Sequence, residues 1–281
     1  MSAPRRAVVT GAGPGSIGEA VARALAADGW EVVVTTRAAP AADHAWHPLD
    51  LADRGSVARF AQWYADRADR LHLLVNSAGI HLDLGSRWSS PQVVDGHEVH
   101  WRTNYLGTVD LTAALLPALL TAATADGDAR VLHVVSQLHE RGTVDGLLGR
   151  APAYDSWAAY GTSKLGLVHH AAWLAEEYEQ HGLRAISVHP GAVSTNIAAR
   201  GLETRPVLRV LRNLARPLER RVLMSPGASA ALLVGLATHE ATPSSYHHKA
   251  RVADPSAAAQ DRAVRAQLMA ETRDWLAAAP G

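Results

Sequence analysis

Short apolar runs alternate along this chain with longer segments in which apolar residues recur at helical spacing. The short runs predict buried β-strands at residues 5–10, 31–36, 47–51, 71–75, 130–135 and 183–188. The intervening segments predict helices at residues 17–28, 54–67, 94–120, 226–238 and 256–278, and a further helix around Tyr160 that ends near residue 180. Because strands alternate with helices, we expect an α/β fold with a doubly wound parallel sheet and helices on both faces.

The length and even patterning of the chain predict one domain. A chain of 281 residues suffices for a single α/β domain with a complete core. No repeat, linker or low-complexity segment interrupts the pattern. We therefore expect residues 1–281 to form one domain, and the sequence leaves open whether it acts as a homo-oligomer.

Charge and composition exclude several classes of site. Lys plus Arg and Asp plus Glu both total 27, so a net charge of zero gives no reason to expect a nucleic-acid partner. The absence of Cys excludes disulfides, thiolate metal sites and Cys nucleophiles. The segment from His97 to His100 lacks the spacing that puts two histidine ligands on one helical face, so we expect no metal.

The sequence shows no segment that we expect to cross a membrane. Its longest apolar run, residues 111–125, is interrupted by Pro117 and is shorter than the ~20 residues of a spanning helix. The N-terminus passes from Arg5-Arg6 into the first strand and does not resemble a signal peptide. We expect a cytoplasmic protein.

A glycine-rich loop joins the first predicted strand to the first predicted helix. Glycines in this position let the backbone turn tightly and approach a pyrophosphate, which the helix N-terminus then binds. Strand, loop and helix together predict a dinucleotide site formed by Gly11, Gly13, Gly15, Ser16, Ile17 and Gly18. A glycine-rich turn without a ligand is the alternative.

The end of the second predicted strand bears on which dinucleotide is bound. An acidic residue there would bind the ribose 2′-hydroxyl of NAD. The chain has neutral Thr36 followed by Arg37, which is placed to meet a 2′-phosphate. We therefore expect NADP(H) to be preferred, with NAD(H) as the alternative cofactor and an ordinary solvated arginine as the alternative role for Arg37.

The segment from Ser136 to Lys164 contains the residues best suited to proton transfer. On a helix, Tyr160 and Lys164 stand one turn apart on the same face. An ammonium beside a phenol favours the phenolate, so we expect the pKa of Tyr160 to be lowered towards neutrality. Ser136 supplies a hydroxyl at the carboxyl end of a predicted strand, where open α/β sheets place their chemistry.

In order along the chain, these features resemble the short-chain dehydrogenase/reductase family, whose members are single-domain Rossmann-fold oxidoreductases. The match includes Thr10-Gly11, Gly15, Asp50-Leu51, Asn76, Ala78-Gly79, Asn104, Gly107, Ser136, Tyr160, Lys164, Pro190-Gly191, Val193 and Thr195. Asn104-Tyr105-Leu106-Gly107 and Ser136-Gln137-Leu138-His139 resemble the retinol-dehydrogenase-like branch most. The chain departs from the family pattern at Ser16, an extra loop residue, and at Ser77, which replaces a second Asn.

The resemblance implies a role for each matching position. Tyr160 would exchange a proton with the substrate oxygen, Ser136 would hold that oxygen, Lys164 would also bind the nicotinamide ribose, and Asn104 would hold a water. Asp50 would contact adenine, and residues 76–79, including Ser77, the adenosine ribose. Val193 and Thr195 would meet the nicotinamide amide, and Leu51, Pro190 and Gly191 would also belong to the cofactor site. The cofactor half would cover about residues 1–125 and the catalytic and substrate half about 126–281.

The expected reaction is hydride transfer between NADPH and a ketone or secondary alcohol. Residues 80–88, 139–157 and 194–224 would line the pocket, and their Trp and Leu content suggests a bulky, partly apolar substrate. An epimerase or dehydratase that retains NAD and a non-catalytic dinucleotide-sensing module are the alternatives. We assign no role to His81, His97, His139 or His189, which suit ordinary packing.

Residues 194–224 would form a lid over the substrate. Within it, Arg205, Arg209, Arg212 and Arg216 recur at helical spacing and form one basic stripe. A solvated face whose arginine stems cover apolar surface is one interpretation. An anionic partner of this face is the other.

Overall fold

The computed structural model describes residues 4–39, 44–84, 88–151, 153–193 and 223–278. Within them, the main sheet consists of Arg6–Thr10 (β1), Glu31–Thr36 (β2), Ala45–Pro48 (β3), Leu73–Asn76 (β4), Ala129–Val134 (β7), Leu183–His189 (β8), Tyr246–His248 (β9) and Arg251–Val252 (β10). Val93–Val94 (β5) and His97–Glu98 (β6) form a separate antiparallel hairpin.

Helices cover the sheet on both sides. They are Ile17–Ala27 (α1), Arg54–Ala65 (α2), Gly107–Asp126 (α3), Val144–Leu147 (α4), Ser156–Tyr178 (α5), Pro226–Thr238 (α6), Ala257–Gln260 (α7) and Arg262–Ala277 (α8). A π-helical segment, Trp101–Leu106, leads into α3, and short 3-10 turns cover Gln137–Arg141 and Glu179–His181.

The strand order is β3-β2-β1-β4-β7-β8-β9-β10, and all neighbours are parallel except β9 and β10. The chain winds from β1 outwards to β3 and then returns to place β4 on the other side of β1. This reversal opens a crevice at the carboxyl ends of β1 and β4, where open α/β sheets bind their ligands. The predicted fold class is confirmed.

Each face of the sheet has its own apolar layer. On one face, α1 and α6 pack on the sheet through residues such as Leu25 and Leu233, which are at most 1% exposed. On the other, Phe60 of α2, Leu111 of α3 and Leu174 of α5 pack together, also at most 1% exposed. Burying both faces explains why the strands are continuous apolar runs rather than alternating ones.

The sequence-based boundaries are wrong at the start of the longest helix. The predicted helix over residues 94–120 is interrupted by the hairpin, where Asp95 and Gly96 both have positive φ. The side chain of Glu98 then accepts the backbone N–H groups of His100 and Trp101 at 2.8 and 2.9 Å, which fixes the helix start there. Strand β9 was not predicted, and Asp261 divides the predicted C-terminal helix in two.

The long helix is also more apolar than its central run suggested. Trp101–Asp126 spans 26 residues, and its most apolar 18-residue window has a mean hydropathy of 1.6, enough to cross a membrane by length and composition alone. In the fold, 56% of its most apolar window is buried. The core helix of a globular domain has these same properties, so the helix is weak evidence for a membrane span.

Gly107 offers a direct test of how tightly the start of α3 is packed. A Cβ at this position would lie 2.0 Å from the carbonyl oxygen of Leu51, a backbone atom that cannot rotate away. We expect Gly107→Ala to destabilise the protein by about 3 kcal/mol. Urea unfolding measures this change.

The matched control is Gly235→Ala, on α6. A Cβ there meets nothing within 4 Å, and alanine is the better helix former, so this variant should be stabilised by about 0.5–1 kcal/mol. Equal effects of the two substitutions would contradict the tight contact at Gly107.

Candidate active site

The ends of β1 and β4 are joined by the side chain of Thr10. Its hydroxyl oxygen accepts the backbone N–H groups of Ser77 and Ala78 at 3.1 and 3.0 Å. Next to it, Gly11 has a φ of +69°, and a Cβ there would lie 2.7 Å from the Cα of Ala78. The two loops that border the crevice are therefore held against each other.

The glycine loop leaves one of its faces open. Gly15 has a φ of +71°, and a Cβ on Gly18 would lie 2.9 Å from the carbonyl oxygens of Thr10 and Gly11. A Cβ on Gly13, in contrast, would meet nothing within 4 Å. Ile17 begins α1 and packs against the core. An open backbone face at a helix N-terminus fits a dinucleotide pyrophosphate.

Ser16 and Glu19 form a reciprocal cap on α1. The Ser16 hydroxyl accepts the Glu19 N–H at 3.0 Å, and the Glu19 carboxylate accepts the Gly15 N–H at 2.7 Å. The extra loop residue Ser16 thus has a structural function in this protein, and its contact with a phosphate stays a prediction.

Arg37 follows β2 and is exposed, with no acidic residue beside it in the sequence. The Thr36 hydroxyl is already engaged, because it accepts the Trp46 indole N–H at 2.8 Å and donates to the Ala38 carbonyl. Near the end of β3, Asp50 accepts the N–H of Ala52 at 2.9 Å. The expected contacts of Arg37 and Asp50 with the adenosine half of a dinucleotide stay predictions.

Asn76, the last residue of β4, and the residues that follow it differ in how exposed they are to the crevice. Asn76 is 2% exposed, and its Nδ2 lies 3.2 Å from Thr112 Oγ1 and 3.1 Å from His133 Nδ1, so its side chain supports the core. Ser77 and Ala78 are half-buried at the crevice. The expected ribose contact of Asn76 would therefore have to come from its backbone and not from its side chain.

Ser136, Tyr160 and Lys164 come together behind this crevice. Ser136 is half-buried at the end of β7, and its hydroxyl is hydrogen-bonded to that of Tyr160. Tyr160 and Lys164 lie one turn apart on α5 and are 8% and 5% exposed. The structure thus brings together the three residues that the sequence pattern selected for proton transfer.

The ammonium of Lys164 is bound to the backbone at the end of β7. Its Nζ donates to the Val134 carbonyl at 3.2 Å and lies 5.8 Å from the centre of the Tyr160 ring. A Cβ on Gly79 would lie 3.2 Å from this nitrogen. The absence of a side chain at Gly79 therefore makes room for the ammonium group. Burial lowers the pKa of Lys164 to about 8.

The expected direction of the Tyr160 pKa shift is wrong. Burial raises the pKa of the Tyr160 phenol to about 12, although the hydrogen bond with Ser136 acts in the opposite direction. The desolvation of a buried phenolate outweighs the effect of that hydrogen bond. Tyr160 is therefore a neutral phenol at physiological pH.

Asn104 lies in the π-helical segment, a type of irregularity that often marks functional sites. Its Oδ1 accepts the Ile80 N–H at 2.8 Å, and its Nδ2 donates to the Ile80 carbonyl at 3.0 Å and to Ser163 Oγ at 3.0 Å. The side chain is thus committed to binding the loop after β4, and its expected contact with a water stays a prediction.

The loop after β8 forms the far side of the site. Gly191 has a φ of +101°, and a Cβ there would lie 2.8 Å from Met224 Sδ, so glycine is required. Pro190 is buried, and Val193 bridges to Met224. Thr195, most of the predicted lid and the arginines from Arg205 to Arg216 lie outside the described residues.

One residue of the site was not found by sequence reasoning. His81 packs face to face on Tyr160, with 4.1 Å between ring centroids. His81 lies two residues after Gly79, and this position in the sequence is the signal that could have placed it beside the site. The sequence alone favoured ordinary packing for the histidines.

The strand order, the crevice and the glycine loop at a helix N-terminus define a dinucleotide-binding α/β fold of the Rossmann type. The family model described as short chain dehydrogenase matches residues 5–205, and the chain belongs to the short-chain dehydrogenase/reductase family. Its relatives place it in the retinol-dehydrogenase-like branch of that family. It is accordingly an oxidoreductase that binds NAD(P).

Several relatives match most of the chain. Polyprenol dehydrogenase of Mus musculus is 36% identical over 95% of this chain and 82% of its own length. Dehydrogenase/reductase SDR family member 13 of Bos taurus is 33% identical over 99% of this chain and 74% of its own. Retinol dehydrogenase 12 of Mus musculus is 33% identical over 68% of this chain and 62% of its own.

Solved structures share the fold. The ligand-free aldohexose dehydrogenase of Thermoplasma acidophilum superposes with a TM-score of 0.65 at 18% identity, over 90% of this chain and 96% of its own. RhlG of Pseudomonas aeruginosa, solved as an NADP active-site complex, has a TM-score of 0.63 at 24% identity, over 88% and 94%.

The lowered pKa of Lys164 predicts a specific pH dependence of stability. Between pH 8 and 10.5 the unfolded chain still binds a proton on this lysine that the folded protein has lost. Because the unfolded state then binds more protons, this group makes the free energy of unfolding rise with pH in that window. We expect Lys164→Met to lose this contribution when urea unfolding is measured from pH 7.5 to 10.5.

The other lysine of the chain supplies the control. Lys249 is exposed, so Lys249→Met should keep the pH profile of the wild type. A Lys164→Met profile parallel to that of the wild type would contradict a depressed lysine pKa.

Proposed function

We propose that this protein transfers hydride between NADPH and a ketone or secondary alcohol of a bulky, partly apolar substrate. The observation that carries the proposal is the hydrogen-bonded Ser136–Tyr160 pair, with Lys164 one turn away, directly behind a glycine loop open to a dinucleotide. Fold alone would not support a reaction, since one fold serves many functions.

NADPH, when bound, would supply the hydride, and the chain would manage the proton. The Ser136 hydroxyl would hold the carbonyl oxygen of the substrate beside the Tyr160 hydroxyl. Tyr160 would donate its proton to that oxygen, and the charge of Lys164 would stabilise the phenolate that forms. Asn104 would keep the loop after β4 in place through its bonds to Ile80.

The protonation state of Tyr160 suits its proposed role as the acid. With a pKa of about 12, Tyr160 holds its proton at neutral pH, as a donor to a carbonyl oxygen must. Oxidation of an alcohol would first require the phenolate.

Two observations support NADPH over NADH. The residue after β2 is the exposed Arg37, and residues 32–39 contain no carboxylate that would bind a ribose 2′-hydroxyl. RhlG, which shares the fold, was solved with NADP. The first observation belongs to this chain and carries the argument.

Aromatic residues support an apolar substrate. Trp157 meets the ring of His81 edge-on at 5.0 Å, and Trp88 lies 6.0 Å from His100, so indole rings lie close to the rings that pack against Tyr160. Polyprenol and retinol, in the names of two relatives, are both apolar isoprenoid alcohols. A substrate panel should therefore combine bulky ketones with isoprenoid alcohols and their aldehydes.

Two alternative functions can be distinguished from a reductase by the fate of the cofactor. An epimerase or dehydratase that retains NAD would release no oxidised cofactor, whereas a reductase releases it stoichiometrically. A dinucleotide-sensing module would bind the cofactor without turnover. The hydrogen-bonded Ser136–Tyr160 pair favours catalysis over sensing. A cytoplasmic location, a homo-oligomer and an anionic partner of the arginine stripe stay predictions from sequence.

Removing the phenol hydroxyl tests the proton donor. We expect Tyr160→Phe to lower turnover by ~10²–10⁴-fold, because a general acid contributes about that much. Affinity for NADPH, measured by fluorescence titration, should be nearly unchanged. A variant with near-normal turnover would show that Tyr160 is not the acid.

Reversing the charge at Arg37 tests cofactor preference. Wild type is expected to have a higher kcat/KM with NADPH than with NADH, and Arg37→Asp should shift that ratio towards NADH. Arg251→Asp makes the same charge change on β10, at the opposite edge of the sheet, and should leave the ratio unchanged. A wild type that prefers NADH would overturn the assignment.

A further inference from the structure

His81 covers one face of the Tyr160 ring. The two ring centroids are 4.1 Å apart and the planes differ by only 7°, so the rings lie nearly parallel and in full contact. His81 is 4% exposed. Tyr160 cannot tilt towards this side without displacing the imidazole.

The imidazole itself is held by two further rings. Trp157 meets it edge-on at 5.0 Å and 82°, and His100 edge-on at 5.8 Å and 80°. His100 also meets Tyr160 edge-on, at 6.1 Å and 87°. Edge-to-face contacts of this kind favour one ring orientation. The four rings therefore restrict one another's rotation.

Hydrogen bonds hold His100, the ring of this cluster that lies nearest the hairpin. His100 Nε2 accepts the Leu82 N–H at 3.0 Å, so the ring proton lies on Nδ1, which donates to Glu98 Oε1 at 2.7 Å. The other oxygen of Glu98 accepts the two N–H groups that begin the helical segment. The orientation of His100, and through it of His81, is thus fixed to the backbone.

Hydrogen bonding by its Nε2 does not explain the position of His81. Its Nε2 is fully buried and has no hydrogen-bond partner, which is unfavourable for a buried polar atom. Burial, together with the nearby His100 and Lys164, also lowers the pKa of His81 to about 4, so the ring is neutral at physiological pH. What His81 contributes is a flat neutral surface.

We propose that His81 is a positioning residue for the reaction, which limits the tilt of the Tyr160 ring and so holds its hydroxyl beside that of Ser136. Proton transfer depends on placing the donor within hydrogen-bond reach of the substrate oxygen, and misplacement by about 1 Å can lower a rate by ~10²-fold. This inference rests on the proposed function for its kinetic consequence, but the position of the Tyr160 ring can be measured without a substrate.

Three substitutions separate the ring from its nitrogens. His81→Phe keeps a flat ring, His81→Leu keeps apolar volume without a ring, and His81→Gln keeps polar atoms without a ring. We expect His81→Leu and His81→Gln to lower kcat by ~10²-fold, with little change in KM or in the Kd for NADPH. His81→Phe should retain kcat near the wild-type value.

His97→Leu is the matched control. His97 lies on the hairpin next to Glu98, and its ring contacts Trp275 rather than Tyr160. Its loss should leave kcat unchanged. Thermal melting of every variant identifies any that fail to fold, and either of the two variants without a ring suffices for the comparison with His81→Phe.

A fluorine NMR measurement tests the position of the ring directly. The chain has six tyrosines, so 3-fluorotyrosine labelling gives few resonances, and Tyr160→Phe identifies the one from Tyr160. We expect a narrow Tyr160 resonance in wild type and His81→Phe, and a broadened or split one in His81→Leu.

The outcomes are distinct. A narrow Tyr160 resonance and wild-type kcat in His81→Leu would overturn the positioning role. A raised KM at unchanged kcat would also overturn it, by showing that His81 contacts substrate. If wild type turns over no carbonyl or alcohol with NADPH, the proposed function fails, while the NMR comparison still decides whether His81 fixes the Tyr160 ring.

Discussion

The site depends on the contact between the loops that follow β1 and β4. One threonine hydroxyl accepts two backbone N–H groups across the crevice, and a glycine beside it lets the two backbones approach. Without that closure, the glycine loop and the residues that lead to Asn104 would be two separate surfaces. Because the two loops are in contact, the N-terminus of α1 and the loop after β4 border the same crevice. A dinucleotide, which has two nucleotide halves, needs such a continuous site.

Burial decides the chemistry of the catalytic residues more than their spacing does. Tyr160 and Lys164 stand one turn apart, yet the phenol holds its proton more firmly than in water and the ammonium holds its proton less firmly. Both shifts have the same cause, because an apolar surrounding disfavours whichever form is charged. At neutral pH the phenol is therefore uncharged, whereas Lys164, with a pKa of about 8, still carries its charge and would stabilise a phenolate that forms beside it.

Much of this could be predicted from the sequence, because the chain's local signals agree with its fold. The helix Pro226–Thr238 has its predicted bounds, since Ser225 and Pro226 mark its start. The start of the long helix was misplaced because Glu98 acts through a cap that hydrophobic spacing does not show. Spacing revealed that Tyr160 and Lys164 are neighbours, but the pKa of a group depends on its burial. The contact of His81 with Tyr160 joins distant parts of the chain and leaves no periodic signal.

The contact of Gly107 with Leu51 joins the two ends of the site. Leu51 follows the strand that borders the adenosine side, and its carbonyl oxygen receives both the close approach of Gly107 and a hydrogen bond from Arg102 at 2.9 Å. Arg102 precedes Asn104 on the same π-helical segment, and Gly107 follows that segment as the first residue of α3. The loop after β3, which is expected to meet the nucleotide, and the turn that carries Asn104 thus share a single buried block. A substitution within that block would disturb both parts at once, whereas the exposed Arg37 lies outside it.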